Sequence, residues 1–451
     1  MTDSLTADDI PFNSNGRPHP TPRATPQKRR TLDEAHTVFT RWLGEEYDVG
    51  ALDAVLATAA AERLCGDPLW LLVVSGSGNA KTETVQALAG VGALVTSTIS
   101  SEGALLSATA RRERGKDATG GLLRRLGDRG LLVIKDVTSI LSMNRDTRAS
   151  LLAAFRELHD GRWERNVGTD GGRTLTWTGR IVIIGAVTTA WDRAHDVIAS
   201  MGDRFVVIRM DSTVGRMVAG RHACRNTGDE TRMRAELAAV VGGVLATVNP
   251  KTAITLTETE QERLLQAADV VTLARTGVDY DYRGDVIDAH APEMPTRFAK
   301  QLTQVVRGAV AIGMDRSRAV GLAIRCARDS MPPLRLAILD DLAAHPGSQT
   351  RLVRQRLEKP RATVDRQLQA LHMLGVLTCV EEEDVYQGKA VTRWRYRLAT
   401  GINPSVLDSD HCPEMSVGMN LGIKSEKDSI ATDISGQSKI QLARESGDER
   451  L

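Results

Sequence analysis

The sequence predicts an α/β fold in which helices cover both faces of a parallel five-stranded sheet. Five short runs are almost continuously apolar instead of alternating, which is typical of strands buried on both faces. Helical stretches separate the runs, as a parallel sheet requires. The runs lie at 69–74, 93–98, 131–135, 180–184 and 204–208.

The composition is that of an ordinary folded chain and excludes several classes of protein. Of the 451 residues, 41% are hydrophobic and 25% are charged, as in soluble globular domains. The net charge is only +1, so any nucleic-acid contact must come from local clusters of cations. The apolar runs are far shorter than the roughly 20 residues of a membrane span. The five cysteines form no CxxC pair, which argues against a disulfide framework or zinc ribbon and favours a cytoplasmic protein.

Shifts in composition divide the chain into five predicted segments. Residues 1–30 and 401–451 are polar and poor in large apolar groups, so we expect them to be disordered tails. Residues 31–210 carry the predicted sheet, residues 211–331 have mostly helical patterns, and residues 332–400 form a further folded unit.

The 332–400 unit begins at two consecutive prolines, which interrupt the preceding helical pattern. Three helical pieces and then two strands follow, at 334–344, 349–357, 362–374, 376–382 and 390–398. This order of elements is the layout of a winged helix.

The segment after the first strand carries the strongest chemical signal. It reads Ser75-Gly76-Ser77-Gly78-Asn79-Ala80-Lys81-Thr82 and leads into a helix. In a P-loop, backbone N–H groups hold phosphates, a Lys reaches the β- and γ-phosphates, and a hydroxyl binds Mg²⁺. Lys81 and Thr82 match these roles, although Ser75 and Ala80 stand where the P-loop consensus has glycine. The segment therefore predicts a site for ATP and Mg²⁺.

A second motif supports the first. The apolar run 131–135 delivers Asp136 to the carboxyl edge of the sheet. In P-loop NTPases a Walker B aspartate at this place holds the Mg²⁺ shell. Together the two motifs predict Thr82 and Asp136 as the metal ligands.

These motifs resemble those of the AAA+ ATPases, and within them the MCM-like replicative helicases and related phage or mobile-element ATPases. The resemblance covers about residues 31–330 together with the appended winged helix. It implies the sheet order 5-1-4-3-2, an α-helical lid over 211–331, and a homo-oligomer, such as a hexameric ring, that shares ATP sites between subunits and acts on DNA.

The resemblance also assigns roles to three further residues. Thr188, after the fourth strand, matches sensor 1, which positions the attacking water or reads the γ-phosphate. Arg204, in Met201-Gly202-Asp203-Arg204-Phe205, matches the arginine finger, which stabilises the transferring phosphoryl group in the neighbouring subunit's site. Arg297, in Pro295-Thr296-Arg297-Phe298, matches sensor 2, which would reach the γ-phosphate from the lid. The alternatives are a strand-capping surface arginine at 204 and a solvated helix arginine at 297.

One position departs from the family pattern. AAA+ Walker B motifs continue with a Glu that polarises the lytic water, but Asp136 is followed by Val137, which cannot accept a proton. Either another residue supplies the base or hydrolysis is slow. Glu157 and Glu102 are the candidate substitutes.

Residues 163–177 predict a β-hairpin. Two extended arms flank Thr169-Asp170-Gly171-Gly172, which is a strong turn signal. MCM-like ATPases carry a pore-lining hairpin just before sensor 1, so the resemblance implies that Arg162, Arg165 and Arg173 face DNA phosphates. A plain surface hairpin is the alternative.

The helix at 362–374 is the predicted recognition helix of the winged helix. Its apolar stripe of Val364, Leu368 and Leu371 leaves Arg366 and Gln367 free to meet base edges in a major groove. Arg393 and Arg395, on the second wing strand, would contact backbone phosphates. Winged helices also serve as protein docks, so this alternative stays open.

Two functions fit these observations. The first is an ATP-binding AAA+ ATPase that acts on DNA as a ring-forming, helicase-like or replication-associated motor. The second is a nucleotide-gated DNA-binding regulatory protein with little turnover, which the absence of the Walker B Glu favours.

Overall fold

The structure is a computed structural model that describes residues 28–108, 119–168, 171–193, 204–386 and 389–408. Most of the two predicted tails therefore lies outside the described residues. The same is true of Thr169 and Asp170 in the hairpin turn, and of Met201 to Asp203 before Arg204.

The described α-helices are α1 (Leu32–Leu43), α2 (Val49–Arg63), α3 (Lys81–Gln86), α4 (Glu102–Leu105), α5 (Leu122–Leu126), α6 (Thr138–Leu141), α7 (Arg145–His159), α8 (Ala190–Arg193), α9 (Arg216–Arg225), α10 (Glu230–Leu245), α11 (Glu258–Arg275), α12 (Thr296–Ala311), α13 (Arg316–Asp329), α14 (Pro333–Ala344), α15 (Thr350–Arg356) and α16 (Arg361–Met373). Single 3₁₀ turns lie at Ala87–Val91 and Pro404–Leu407.

The described strands are β1 (Leu71–Val74), β2 (Leu94–Thr96), β3 (Arg129–Ile134), β4 (Arg162–Val167), β5 (Arg173–Thr178), β6 (Arg180–Val187), β7 (Val206–Arg209), β8 (Val278–Tyr280), β9 (Val286–Ala289), β10 (Leu377–Tyr386) and β11 (Lys389–Leu398). Within the described residues no helix is both long and apolar enough to cross a bilayer.

The central sheet has five parallel strands, and the predicted α/β class is confirmed. Its spatial order is β2-β3-β6-β1-β7. Successive residues of β1 alternate between two core clusters, since Leu71 and Val73 join one and Leu72 and Val74 join the other. The sheet is therefore covered on both faces, which explains why its strands read as unbroken apolar runs.

Because the five strands are parallel, all of them end at one side of the sheet, here called the carboxyl edge, and all begin at the opposite side, the amino edge. The loops after β1, β3 and β6 all leave from the carboxyl edge, while the residues that precede β7 enter at the amino edge. Arg209 and Val74, each the last residue of its strand, are paired neighbours. This register decides which predicted site residues can meet within one chain.

The predicted hairpin is present as the antiparallel pair β4–β5. Trp163 lies opposite Trp177, and both side chains are buried. Trp177 also donates from Nε1 to the carbonyl oxygen of Gly127 at 2.8 Å. The base of the hairpin is thus fixed to the residues just before β3.

The 211–331 segment is not wholly helical, in contrast to the prediction. Antiparallel strands β8 and β9 interrupt it, joined by a turn in which Gly284 has a φ of +82°. The carboxylate of Asp281 accepts hydrogen bonds from the N–H groups of Arg283 and Asp285, both at 2.8 Å. Strands of three and four residues are too short for a periodic pattern to predict.

The elements predicted for 332–400 are present, with three helices followed by the antiparallel pair β10–β11. Residues 401–408 differ from the expected disordered tail, because Leu407 is fully buried and the carbonyl oxygen of Asp408 accepts from Arg263 Nη2 at 3.2 Å. Four scattered apolar residues, too irregular in spacing to give a pattern, hold this piece against α11 and α13: Ile402, Pro404, Val406 and Leu407.

Candidate nucleotide site

The loop between β1 and α3 is fixed by its own hydrogen bonds. Ser75 is buried and donates from Oγ to the carbonyl oxygen of Met210 at 2.8 Å. Asn79 donates from Nδ2 to the Ser75 hydroxyl at 2.8 Å and to the carbonyl oxygen of Asp211 at 3.0 Å. The first Ser of the motif, where the consensus has Gly, therefore anchors the loop to the end of β7.

Two residues of this loop adopt left-handed backbone conformations. Gly78 has a φ of +79° and Ala80 has a φ of +53°. A non-glycine residue in this region costs roughly 1–2 kcal/mol, so the loop holds Ala80 in a conformation that the consensus glycine would adopt freely. Such backbone conformations turn N–H groups toward a common point and form an anion-binding concavity.

Lys81 begins α3 and is only 9% exposed. Its Nζ donates to the carbonyl oxygen of Gly76 at 2.8 Å, so the side chain folds back across the loop. Burial lowers the pKa of the Lys81 ammonium, and the charge of Asp136 opposes that shift. The predicted phosphate ligand and the predicted Walker B residue are thus electrostatic neighbours.

Thr138 connects Asp136 to Thr188. The N–H of Thr138 donates to Asp136 Oδ1 at 3.0 Å, and its hydroxyl oxygen accepts from the N–H of Thr188 at 3.1 Å. The two threonine hydroxyls are 3.3 Å apart. The structure therefore brings together the ends of β3 and β6, and the Asp136 side chain there is exposed to solvent. Thr138 is a site residue that the sequence analysis missed.

A cavity of about 370 Å³ adjoins the loop and Lys81. Its walls include residues that no motif indicated: Tyr47, Val214, Val218, His222 and Met233. The Tyr47 hydroxyl lies 2.8 Å from Thr84 Oγ1, and the ring stacks on Phe39. The cavity thus combines the Lys81 cation with apolar side chains that could meet a flat base, and its walls also carry the carboxylates of Glu46, Asp48, Glu83, Asp211 and Glu230.

The residue after Asp136 and the two candidate catalytic bases lie in three different settings. Val137 is buried at 6% exposure and belongs to a core cluster. Glu102 pairs with Arg165, whose Nε lies 3.5 Å from Glu102 Oε2. Glu157 is exposed on the last turn of α7, which leads to the amino edge through Asp160. The structure does not bring Glu157 to the edge that carries Lys81.

Arg204 lies at the amino edge of the sheet, opposite Lys81. It precedes Arg209 by five residues, which places it roughly 15 Å from the carboxyl edge at about 3.3 Å per strand residue. Its Nη2 is 3.7 Å from Asp160 Oδ2, and its carbonyl oxygen accepts from Gln301 Nε2 at 2.6 Å. Within one chain, Arg204 and Lys81 belong to different sites.

Arg297 accompanies Arg204 at this edge. Burial lowers the pKa of the Arg204 guanidinium, and the positive charge of Arg297 lowers it further. Arg297 Nη1 is 3.4 Å from Glu293 Oε1. One turn later, Lys300 reaches Asp67, which precedes β1. The start of α12 therefore packs at the amino edge, and Arg297 cannot reach the 75–82 loop of its own chain.

The arginines predicted for DNA contact mostly bind groups of their own chain. Arg162 pairs with Glu164, and Arg165 donates to the carbonyl oxygen of Leu106 at 2.7 Å. Arg173 differs, because its Nε is buried and makes no hydrogen bond within the described residues. The hairpin thus offers fewer free cations than the sequence suggested.

The predicted contacts on the 332–400 unit are also engaged. Arg366 Nη2 donates to the carbonyl oxygen of Arg283 at 2.8 Å, and Gln367 Oε1 accepts from Arg335 Nε at 2.9 Å. Arg395 donates to Glu382, and Arg393 lies opposite Glu382 in the β10–β11 register. The candidate DNA-reading residues are therefore held in internal contacts in this conformation.

Comparison with known proteins gives no family assignment. No family model and no curated protein matches the chain. Two solved structures are similar, both titled as the A-form apo structure of the NrS-1 C-terminal region. The first has 12% identity and a TM-score of 0.31, covering 85% of this chain and 79% of that chain. The second, of residues 305–718, has 11% identity and a TM-score of 0.28 at the same coverage. Likeness this distant carries no argument about function.

Proposed function

We propose that the chain is an ATP-binding ATPase of the AAA+ class that acts on DNA. The observation that carries the proposal is that β1 and β3 end at the same edge of the parallel sheet, which places Lys81 and Asp136 together there, with Lys81 lining the 370 Å³ cavity. Lys81 would exchange its bond to the Gly76 carbonyl for the β- and γ-phosphates. Thr82 and Asp136 would hold Mg²⁺, which when bound neutralises charge on the phosphates.

The order of the strands supports the AAA+ class. Numbered along the chain, the five strands of the central sheet stand in the order 5-1-4-3-2, which the resemblance implies. Thr188 follows the strand between β1 and β3, the place of sensor 1. The three helices and the hairpin of 333–398 are the elements of a winged helix.

The placement of the two arginines supports a shared site. Arg204 and Arg297 lie together at the amino edge, so neither serves the phosphates of its own chain. A second copy would bring its Lys81 edge to this pair, and the two guanidinium groups would stabilise charge on the transferring phosphoryl group. The proposal therefore includes a homo-oligomer with ATP between neighbouring subunits.

The decisive experiment is ATPase turnover of the full chain, measured alone, with single-stranded DNA and with duplex DNA. A motor predicts ATP binding and a turnover that DNA stimulates. An absence of ATP binding by the folded protein would reject the proposal at its first step.

A second function is favoured by one observation, the burial of Val137 where the family has its Glu. In this alternative the chain is a nucleotide-gated DNA-binding regulator. ATP binding would drive assembly while hydrolysis stays slow. Tight ATP binding, DNA affinity that depends on ATP, and turnover that DNA does not change would select this alternative.

A further inference from the structure

The strand pair β8–β9 lies on the helix expected to read DNA. Strand β9 packs against α16, and Arg366 of α16 donates to the carbonyl oxygen of Arg283 in the turn. A Cβ atom on Gly284 would come within 2.6 Å of Arg366 Nη2. A side chain at 284 would therefore push the guanidinium of Arg366 away from the turn.

A buried arginine, Arg335, connects the end of α11, which leads into β8, with α16. Arg335 is 2% exposed and donates from Nη1 to the carbonyl oxygens of Ala274 at 2.7 Å and Thr276 at 2.6 Å. Its Nε binds Gln367 at 2.9 Å. The same side chain thus donates to backbone carbonyl oxygens at the end of α11 and holds Gln367 of α16 in place. These contacts leave the middle of α16 half-buried or buried, with Arg361 and Thr363 exposed near its start.

The charges of the two parts are complementary. Residues 278–290 contain four Asp and one Arg, while residues 350–372 contain six Lys or Arg and two acidic residues. The cations of 350–372 are shared between α15, the loop after it and α16. An acidic strand pair beside Arg366 places negative charge where DNA phosphates would otherwise approach that cation.

We propose that the β8–β9 pair is a built-in competitor of DNA, which covers α16 and must move away before α16 can enter a major groove. This inference rests on the proposed DNA role. It explains why Arg366 is engaged with the turn between β8 and β9. In this arrangement the measured affinity for duplex DNA is the affinity of the open form multiplied by the fraction of molecules that are open.

The test uses the full chain and a labelled duplex at low salt, with binding followed by fluorescence anisotropy. Gly284→Val crowds Arg366 and is expected to raise duplex affinity about fivefold or more by increasing the open fraction. Gly313→Val is the matched control. Gly313 also has a positive φ, +92°, but a Cβ there meets nothing within 4 Å, so duplex affinity should stay within about twofold of wild type.

A second variant keeps the test decisive if Gly284→Val fails to fold. The triple change Asp279→Asn, Asp285→Asn and Asp288→Asn removes charge from exposed positions of the pair while keeping side-chain shape. It should also raise duplex affinity. The control is Glu258→Gln, Glu262→Gln and Asp269→Asn, which removes equal charge from exposed positions of α11 and should have a smaller effect.

Hydrogen exchange of the α16 amides, measured on the same samples, reports opening directly. Faster exchange in α16 together with tighter duplex binding supports the inference. Faster exchange with unchanged duplex affinity overturns it, while leaving the proposed DNA role intact. If neither wild type nor any opened variant binds duplex, the DNA role and the inference fall together, and the 333–398 unit is a protein dock.

Discussion

Val137 packs against Gly185 so closely that a Cβ atom at position 185 would lie 2.6 Å from Val137 Cγ2. The N–H of Val137 also donates to the carbonyl oxygen of Ala186 at 2.8 Å. The residue after Asp136 is therefore committed to the core between β3 and β6. A glutamate there would have to leave this packing to meet a water molecule near Asp136.

Val137→Glu should therefore destabilise the protein without restoring fast hydrolysis. Burying a carboxylate costs several kcal/mol unless it is paired, so we expect a loss of about 3 kcal/mol in the free energy of unfolding. Urea denaturation measures this loss, and Val137→Ala, which removes methyl groups without adding charge, is the comparison. A stable Val137→Glu protein with raised ATP turnover would contradict the packing argument.

Lys81→Ala should weaken ATP binding at least about tenfold, or roughly 1.4 kcal/mol. The side chain is the cation of the 75–82 loop, and in the proposed site its ammonium would face the β- and γ-phosphates. Isothermal titration with ATP and Mg²⁺ measures the change. Lys300→Ala is the control, because Lys300 is 68% exposed at the amino edge and pairs there with Asp67. Equal affinities in the two variants would reject the phosphate-binding assignment.

Arg204→Ala should retain ATP affinity but lose turnover by roughly a thousandfold or more, as removal of an arginine finger does. Turnover should return in part when this variant is mixed with Lys81→Ala subunits, because some interfaces then combine an intact loop with an intact arginine. Light scattering on the same samples reports assembly. A monomer with wild-type turnover would rule out the shared site.

His159 should make stability depend on pH. Burial, assisted by the charge of Arg204, lowers the pKa of the imidazole to about 4. Between pH 6.5 and 4 the unfolded chain binds a proton that the folded chain does not, so stability present above pH 6.5 falls by up to about 1.4 kcal/mol per pH unit on acidification.

His159→Phe keeps an aromatic ring against Trp70 and should flatten this loss. Asp329 acts with the opposite sign, because burial raises its pKa to about 6 and protonation then favours the folded state. The test is therefore the difference between His159→Phe and wild type in urea denaturation at pH 7 and pH 5. Parallel pH profiles for the two proteins would show that His159 does not titrate on unfolding.

The sheet was predictable because each of its strands is buried on both faces, which forces an unbroken apolar run such as Leu71–Val74. The motifs around Lys81 and Asp136 were predictable because a parallel sheet delivers both to one edge. The β8–β9 pair could not be predicted, since its strands are too short to show a periodic pattern of apolar residues. Nothing local to Tyr47 or Val214 could show that they line one cavity, because only tertiary packing joins them.

The positions of Arg297 and Arg366 in the fold could not be predicted from the sequence either. The motif around Arg297 identifies the start of a helix but does not show at which edge of the sheet that helix packs. Tertiary contacts, such as the pair of Lys300 and Asp67, determine the edge. The stripe of α16 correctly separated Val364 and Leu368, both fully buried, from Arg366. The stripe could not show that the β8–β9 pair covers the side of α16 that carries Arg366.

The opposite locations of Lys81 and the Arg204–Arg297 pair restrict the symmetry of any assembly that joins them. A two-fold dimer matches a patch with itself, whereas this contact unites two different patches and is heterologous. An open row of subunits then always ends in one incomplete nucleotide site and one unused arginine pair. Only rotational closure completes every site, so the number of competent centres equals the number of subunits in a ring and falls one short in any open arc.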